Sequence, residues 1–493
     1  MLNYVSTRDD SVKVSSAEAV LNGLAPDGGL YVPDNLEEIR LDYKEVIAMD
    51  YRGMAKAVFG KFFPDYGEDA ISAIVERSYE NKFSSEEITP LVKVGDGNVL
   101  ELYHGPTCAF KDVALSALPN LMTVARDMTG FEDEILILTA TSGDTGSAAL
   151  HGFSDVPGTR IIVFYPEGGV SDTQRLQMVT QTGLNTAATA VRGNFDDAQS
   201  GVKRLFTEIP RPCKGVSLSS ANSINIGRLV PQVVYYFAAY KALVESGRIA
   251  VGDKVNFTVP TGNFGDIMAG YFAMKMGLPV GRLICASNKN DVLTEFLETG
   301  HYNRKRTFYK TSSPSMDILV SSNLERLLYL VCGLERNKGF MKALAEDGEY
   351  SVSEEELAEI RKIFVGICCD EEKGAAVIRN VFDDNGYLMD THTAVAWAAY
   401  EEFEKSEEEG RGQANVVLST ASPYKFTRAV LGYLGAEIPE SDEECMKLLS
   451  EKTGVAVPPQ LAGIFAKEIR HKDVIECDEM KQYVIDKASA GEK

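Results

Sequence analysis

From residue 134 to residue 297 the chain alternates short apolar runs with stretches of helical period, and few architectures accept that rhythm. Residues 134–140 (E-I-L-I-L-T-A), 160–165, 186–191, 215–218, 254–259 and 282–286 read as buried strands, and 415–419 reads as one more. Helical patterns begin at Ser147, after Ser171, across 195–206, from near Ile226 to Val244, through Met276 and across 292–297. Strands buried on both faces and joined through helices pair in parallel, with helices covering each side of the sheet. The expected fold class is therefore α/β, with open, mostly parallel sheets flanked by helices.

The flanks are of another kind. Residues 1–95 read as a distinct cap, rich in turns and helices, with helical patterns at 43–63 and 67–79. Residues 90–94 and 99–103 alternate as a hairpin about a turn at 95–98. A helix is expected to start near Lys111 and run through Ala125, and 354–369, 372–382 and 393–403 read as amphipathic helices. A chain of 493 residues exceeds a single core. The expected division is 1–95, then 96–438 with two α/β halves, then a helical acidic tail at 439–493. No apolar run approaches the roughly 18 residues of a membrane span. Arg8, Asp9 and Asp10 stand where a signal peptide needs an apolar core, so a cytoplasmic protein is expected. Its net charge of -22 repels phosphate backbones and anionic lipid. The expected partner is a small molecule, with no nucleic acid and no membrane, the chain itself a monomer or small homo-oligomer. Eight scattered cysteines without C-x-x-C, and five histidines far apart, predict reduced thiols and no metal site.

Two of the strands end in glycine loops that open helices, T-S-G-D-T-G at 141–146 and T-G-N-F-G-D at 261–266. Glycine allows the turn and brings backbone N–H groups close to a ligand, and a helix start favours an anion. Neither loop matches G-x-G-x-x-G. G-x-x-x-x-G-K-[ST] is absent, and the residues around Ser142 do not form G-x-S-x-G, which argues against a dinucleotide fingerprint, a P-loop and a hydrolase elbow. Ligands of open α/β sheets sit at the carboxyl ends of strands, where both loops and Thr420 fall. Upstream lies H-G-P-T-C-A-F-K-D at 104–112, whose Lys111 has Ala109, Phe110, Val113, Ala114 and Leu115 around it and one acid, Asp112, beside it. Most lysines are solvated. One held among apolar neighbours loses hydration, its pKa falls, and the free amine can hold an aldehyde as a Schiff base. Such a lysine with two anion pockets matches pyridoxal 5'-phosphate. The lysine takes the aldehyde, one loop the phosphate and the other the carboxylate of an amino acid, with the neutral hydroxyl of Thr420 at the ring nitrogen.

These motifs, with S-A-N-S-I-N-I-G-R-L at 220–229, H-T-A-V-A at 392–396, S-T-A-S-P-Y-K-F at 419–426 and the N-terminal S-T-R and D-G-G-L-Y-V-P, carry a resemblance. The chain resembles the threonine synthases, pyridoxal-phosphate enzymes of the tryptophan-synthase-β fold, over nearly its whole length. The resemblance implies two catalytic α/β domains and an extra N-terminal domain. It implies that Lys111 carries the cofactor, that Gly262, Asn263, Phe264, Gly265 and Asp266 surround its phosphate, and that Thr420 meets the pyridine nitrogen. It implies that Thr141, Ser142, Gly143, Asp144 and Thr145 take the substrate carboxylate, with Ser220, Asn222, Asn225 and Arg228 as further contacts. The implied reaction is O-phospho-L-homoserine plus water to L-threonine plus phosphate, a γ-elimination and β-replacement that ends threonine biosynthesis. One departure is visible: Ser422-Pro423-Tyr424 stand where the family usually has His-Pro-Ala. Two other readings use the same residues. A dehydratase or phospholyase of this fold shares Lys111 and both loops, and a non-catalytic sensor of an amino acid or phosphate would keep the pockets alone.

Overall fold

The computed structural model describes residues 2–406 and 408–489. Two sheets organise it. The larger has six strands in the order β13 (Phe364–Cys368), β10 (Val280–Ser287), β9 (Val255–Pro260), β14 (Ala414–Ser419), β4 (Gly97–Glu101) and β3 (Leu91–Val94). All its pairs are parallel except the terminal hairpin, where β3 runs against β4. The smaller has five parallel strands in the order β15 (Val474–Glu476), β7 (Thr186–Arg192), β6 (Thr159–Pro166), β5 (Glu134–Ala140) and β8 (Val216–Ser219). Side chains of β9 are buried along its whole length, the mark of a strand covered on both faces. Two antiparallel pairs complete the set among the described residues, β1 (Tyr4–Ser6) with β2 (Tyr31–Pro33) and β11 (His301–Asn303) with β12 (Glu349–Ser351).

The N-terminal segment is fastened to both halves. Leu41 N–H donates to Met276 O at 2.9 Å beside the larger sheet, and Ser219 Oγ donates to Leu21 O at 2.9 Å beside the smaller. A second apolar cluster lies behind the five-stranded sheet. There Leu136, Ile162 and Phe164 meet Val202 and Leu205, and Met480 and Val484 of the last helix, Met480–Ser489, close it.

Several elements differ from the sequence expectation. The helix expected over 111–125 is two, Lys111–Leu115 and Leu118–Thr129. Pro119 has no N–H to give Leu115 O, and that carbonyl instead faces Gly152, where a Cβ would sit 2.1 Å from it. The helix expected over 226–244 is interrupted by a 3-10 turn, Val230–Gln232, around Pro231. The stretch expected as one helix over 354–369 stops at Arg361, and Phe364–Cys368 becomes the edge strand β13, in register with Leu283–Ser287. The acidic tail carries a strand, β15, on the edge of the five-stranded sheet. β11 and β12 had no counterpart in the sequence reading.

Candidate active site

The carboxyl ends of β5, β9 and β14 converge on one cavity of about 860 Å³. The loop bearing Lys111 is held to the end of β14. Phe110 N–H donates to Thr420 O at 2.8 Å, Ser422 N–H donates to Cys108 O at 3.0 Å, and Ala109 bridges Ala421. Asp112 folds the preceding turn, accepting from Thr107 N–H at 2.8 Å and from Thr107 Oγ at 2.6 Å. That carboxylate is therefore not the one beside the lysine. The buried Lys111 Nζ lies 4.7 Å from the Phe110 ring centre and 3.5 Å from Asp144 Oδ2. Burial lowers the proton affinity of the amine. Asp144 opposes that, while the nearby Arg228 and Lys425 reinforce it.

The first glycine loop is set by Thr141, whose Oγ accepts from Gly143 N–H and Gly146 N–H, each at 2.9 Å. The helix Asp144–Phe153 starts there, and its first amides, those of Asp144 and Thr145, have no carbonyl partner within the helix. The side chain of Asp144 is committed elsewhere. Oδ1 accepts from Lys425 Nζ at 2.8 Å and from Gln174 Nε2 at 2.9 Å, and Oδ2 faces Lys111. Burial alone would raise this carboxyl, but the two lysines hold it well below the usual carboxylate range. What the loop offers an anion is its backbone amides, not that side chain.

The second loop starts the helix Gly265–Met276 from Phe264, a residue in the left-handed region at φ 60°. Residues 313–323 brace it. Asn323 Nδ2 donates to Asn263 O at 2.9 Å, and Ser321 Oγ donates to Gly262 O at 2.8 Å. A Cβ on Gly262 would stand 2.6 Å from Ser315 O, so only glycine fits the cradle. Asp266 accepts from the hydroxyls of Tyr235 and Tyr236, yet its Oδ2 is buried without a partner. Burial pushes this carboxyl up to about 6. Arg228 is buried too, with Nε and one Nη lacking partners, and its guanidinium carbon lies 5.9 Å from the Phe110 ring centre.

Every residue given a site role from the sequence lines the cavity except Gly143 and Asn225. Gly143 is turned against Gln174, where a Cβ would sit 2.3 Å from the amide carbon. Asn225 caps the short helix Ile226–Leu229, accepting from Gly227 N–H at 2.9 Å and donating to Val20 O at 2.9 Å. The cavity also takes Phe110, Arg8, Ser223, Ser315 and His392, which sequence reasoning did not assign. Arg8 arrives in the N-terminal segment, paired with Glu325 at 2.8 Å. His392 Nε2 accepts from Ser315 N–H at 3.1 Å, so its proton sits on Nδ1 toward Asp390, 2.7 Å away. Ser422, at the family's histidine position, is buried outside the lining and caps the turn Pro423–Lys425.

The fit to a phosphorylated aldehyde is specific. A desolvated amine faces the cavity, a helix start and a cradle closed to any Cβ await an anion, and a threonine hydroxyl ends β14. The chain is thus a pyridoxal-phosphate-dependent enzyme, and the family model described as "Pyridoxal-phosphate dependent enzyme" matches residues 86–421. Models described as "Threonine synthase N terminus" and "Threonine synthase, C-terminal" match residues 3–79 and 393–484. A threonine synthase of Pseudomonas aeruginosa is 39% identical, over 95% of this chain and 95% of its own. Human threonine synthase-like 1 is 36% identical over 92% of this chain, which spans 64% of that longer protein. The crystal structure of PLP-bound threonine synthase from Brucella melitensis superposes with a TM-score of 0.86 at 36% identity, covering 99% of this chain and 100% of that one. The chain belongs to the threonine synthase family.

Proposed function

We propose that the protein converts O-phospho-L-homoserine and water into L-threonine and phosphate. The observation that carries this reading is Arg228, a buried guanidinium beside the cavity with two nitrogens unpartnered. The two backbone cradles answer for a cofactor phosphate and a substrate carboxylate. A dehydratase substrate has no third anion, whereas a distal phosphate needs the cation that Arg228 offers.

Held by Lys111, the loop at 262–266 and Thr420, pyridoxal phosphate supplies an electrophilic aldehyde and a ring that draws electron density from Cα. The chain's own residues do the rest. The amides of Asp144 and Thr145 orient the substrate carboxylate. Lys111, its amine freed of excess proton affinity by burial, takes the proton from Cα and returns protons as the reaction proceeds. Loss of a second proton, from Cβ, expels the phosphate from Cγ; the Cγ–O electron pair leaves with oxygen, and Arg228 steadies the departing group. Cγ then takes up a proton, water adds its oxygen at Cβ and gives up a proton, and Cα is reprotonated. The burial of Lys111 and Asp144 keeps bulk water from competing for these protons. The strongly acidic balance of the chain supports a small-molecule substrate over nucleic acid, and its eight scattered cysteines without C-x-x-C support the reducing cytoplasm. Among the described residues no helix is long and apolar enough to cross a membrane.

Borohydride reduction of the holoenzyme followed by peptide mass spectrometry is expected to place the cofactor on Lys111. Incubation with O-phosphohomoserine is expected to yield threonine and phosphate, and Lys111→Ala to abolish both. Formation of 2-oxobutyrate and ammonia instead would establish the dehydratase reading.

A further inference from the structure

Lys425 is a fully buried lysine with no place on the cavity wall. The turn Pro423–Lys425, capped by Ser422, delivers it, and Ser171 Oγ holds its carbonyl at 3.0 Å. Its Nζ donates to Thr107 O at 2.8 Å and to Asp144 Oδ1 at 2.8 Å. Gln174, also off the cavity wall, donates to the same Oδ1. One oxygen of the Asp144 carboxylate is thereby saturated. The other is left pointing at Lys111 Nζ, 3.5 Å away, with Ser315 Oγ at the same distance. A buried lysine is costly unless its charge is paired, so the pair with Asp144 is a built feature and not a surface accident.

We propose that Lys425 is a positioning residue for the reaction, fixing the Asp144 carboxylate and sharing its charge so that Lys111 meets a weakened counter-charge. The inference rests on the reading of Lys111 as the proton-moving amine. Two cations divide one carboxylate. With Lys425 present, Asp144 orients the Lys111 amine without locking it in its protonated form. Without Lys425, Lys111 becomes the main counter-charge of a buried carboxylate and holds its proton more tightly. The other ionisable groups around the pair are Arg228 and Asp266 on the cavity side of Lys111, His392 beside Asp144, and Asp112 and the buried Cys108 thiol beside Lys425.

The test uses holoenzyme. Lys425→Met is expected to move the pH titration of the bound cofactor's absorbance, and the acid limb of kcat/KM, upward by about one unit or more. Lys425→Arg, which keeps a cation there, is expected to restore both toward the native values. Gln174→Leu removes the other donor on Oδ1 and no charge. It is expected to shift both profiles the same way by less, and it stands as the working variant should Lys425→Met not fold. Borohydride labelling of each variant separates the two layers. Label on Lys111 with titrations that overlay the native curve overturns the role of Lys425 alone. Label on another residue overturns the assignment of Lys111, and with it the inference.

Discussion

Asp266 shows what a single buried carboxyl does to this chain. Its Oδ2 has no partner, and burial pushes its pKa from 3.8 up to about 6, against the opposing hydroxyls of Tyr235 and Tyr236 and the charge of Arg228. Between those two values the unfolded chain has lost the proton and the folded chain still holds it. Stability therefore falls as pH rises through the window and is level above it, by about 3 kcal/mol in all. In urea unfolding of apoprotein, Asp266→Asn is expected to gain on the native chain as pH goes from about 4 to about 6. A difference that stays constant across that window would return the carboxyl to ordinary behaviour. At this scale the sequence was legible where chemistry is local. A lysine among apolar neighbours and a glycine ahead of Asn-Phe-Gly each carried their own reason. The acid opposite Lys111 was not legible. Asp112 is its neighbour in sequence, but adjacent residues on a helix do not face each other. Asp144 comes to the amine from a different strand end, and Lys425 from a third, by tertiary folding alone.

Among the elements, β13 is the instructive one. A capping box made by Ser353 and Glu356 starts a true helix, and the apolar run F-V-G-I-C that follows fits either period. Pairing with β10 decides for strand, and Gly366 is what lets it happen. A Cβ there would lie 2.8 Å from Thr294 Cα, in the backbone of the helix Val292–Thr299 packed above. Gly366→Val is therefore expected to destabilise by about 1–3 kcal/mol through overpacking, measured by chemical denaturation. A variant as stable as the native chain would mean that the helix yields. The central strands needed no such arbitration, since β5, β6, β9 and β10 are short apolar runs closed by polar or glycine-bearing turns. Breaks inside helices at Pro119 and Pro231 are local chemistry too, but a periodicity taken over long windows runs across them.

Over the whole molecule, segments near both ends of the described chain are built into it. Arg8 reaches the cavity, and β15 with the last helix closes the five-stranded sheet, Arg160 donating to Ala488 O at 3.0 Å. Ending the chain after residue 469 is expected to strip hydrogen-exchange protection from β6, β7 and the helix Phe195–Glu208 while the six-stranded sheet stays protected. Equal loss in both sheets would make the molecule one cooperative unit. The rhythm of strands was readable as α/β; the order of strands was not, because nothing local says that β14 inserts between β9 and β4. That insertion has a consequence in time. The strand that seats Thr420 against Phe110 leaves the ribosome roughly 300 residues after Lys111, about 15 to 60 s later at ordinary elongation rates. For that interval the lysine of the nascent chain is an ordinary solvated amine with no seat, so loading with the vitamin waits for that strand.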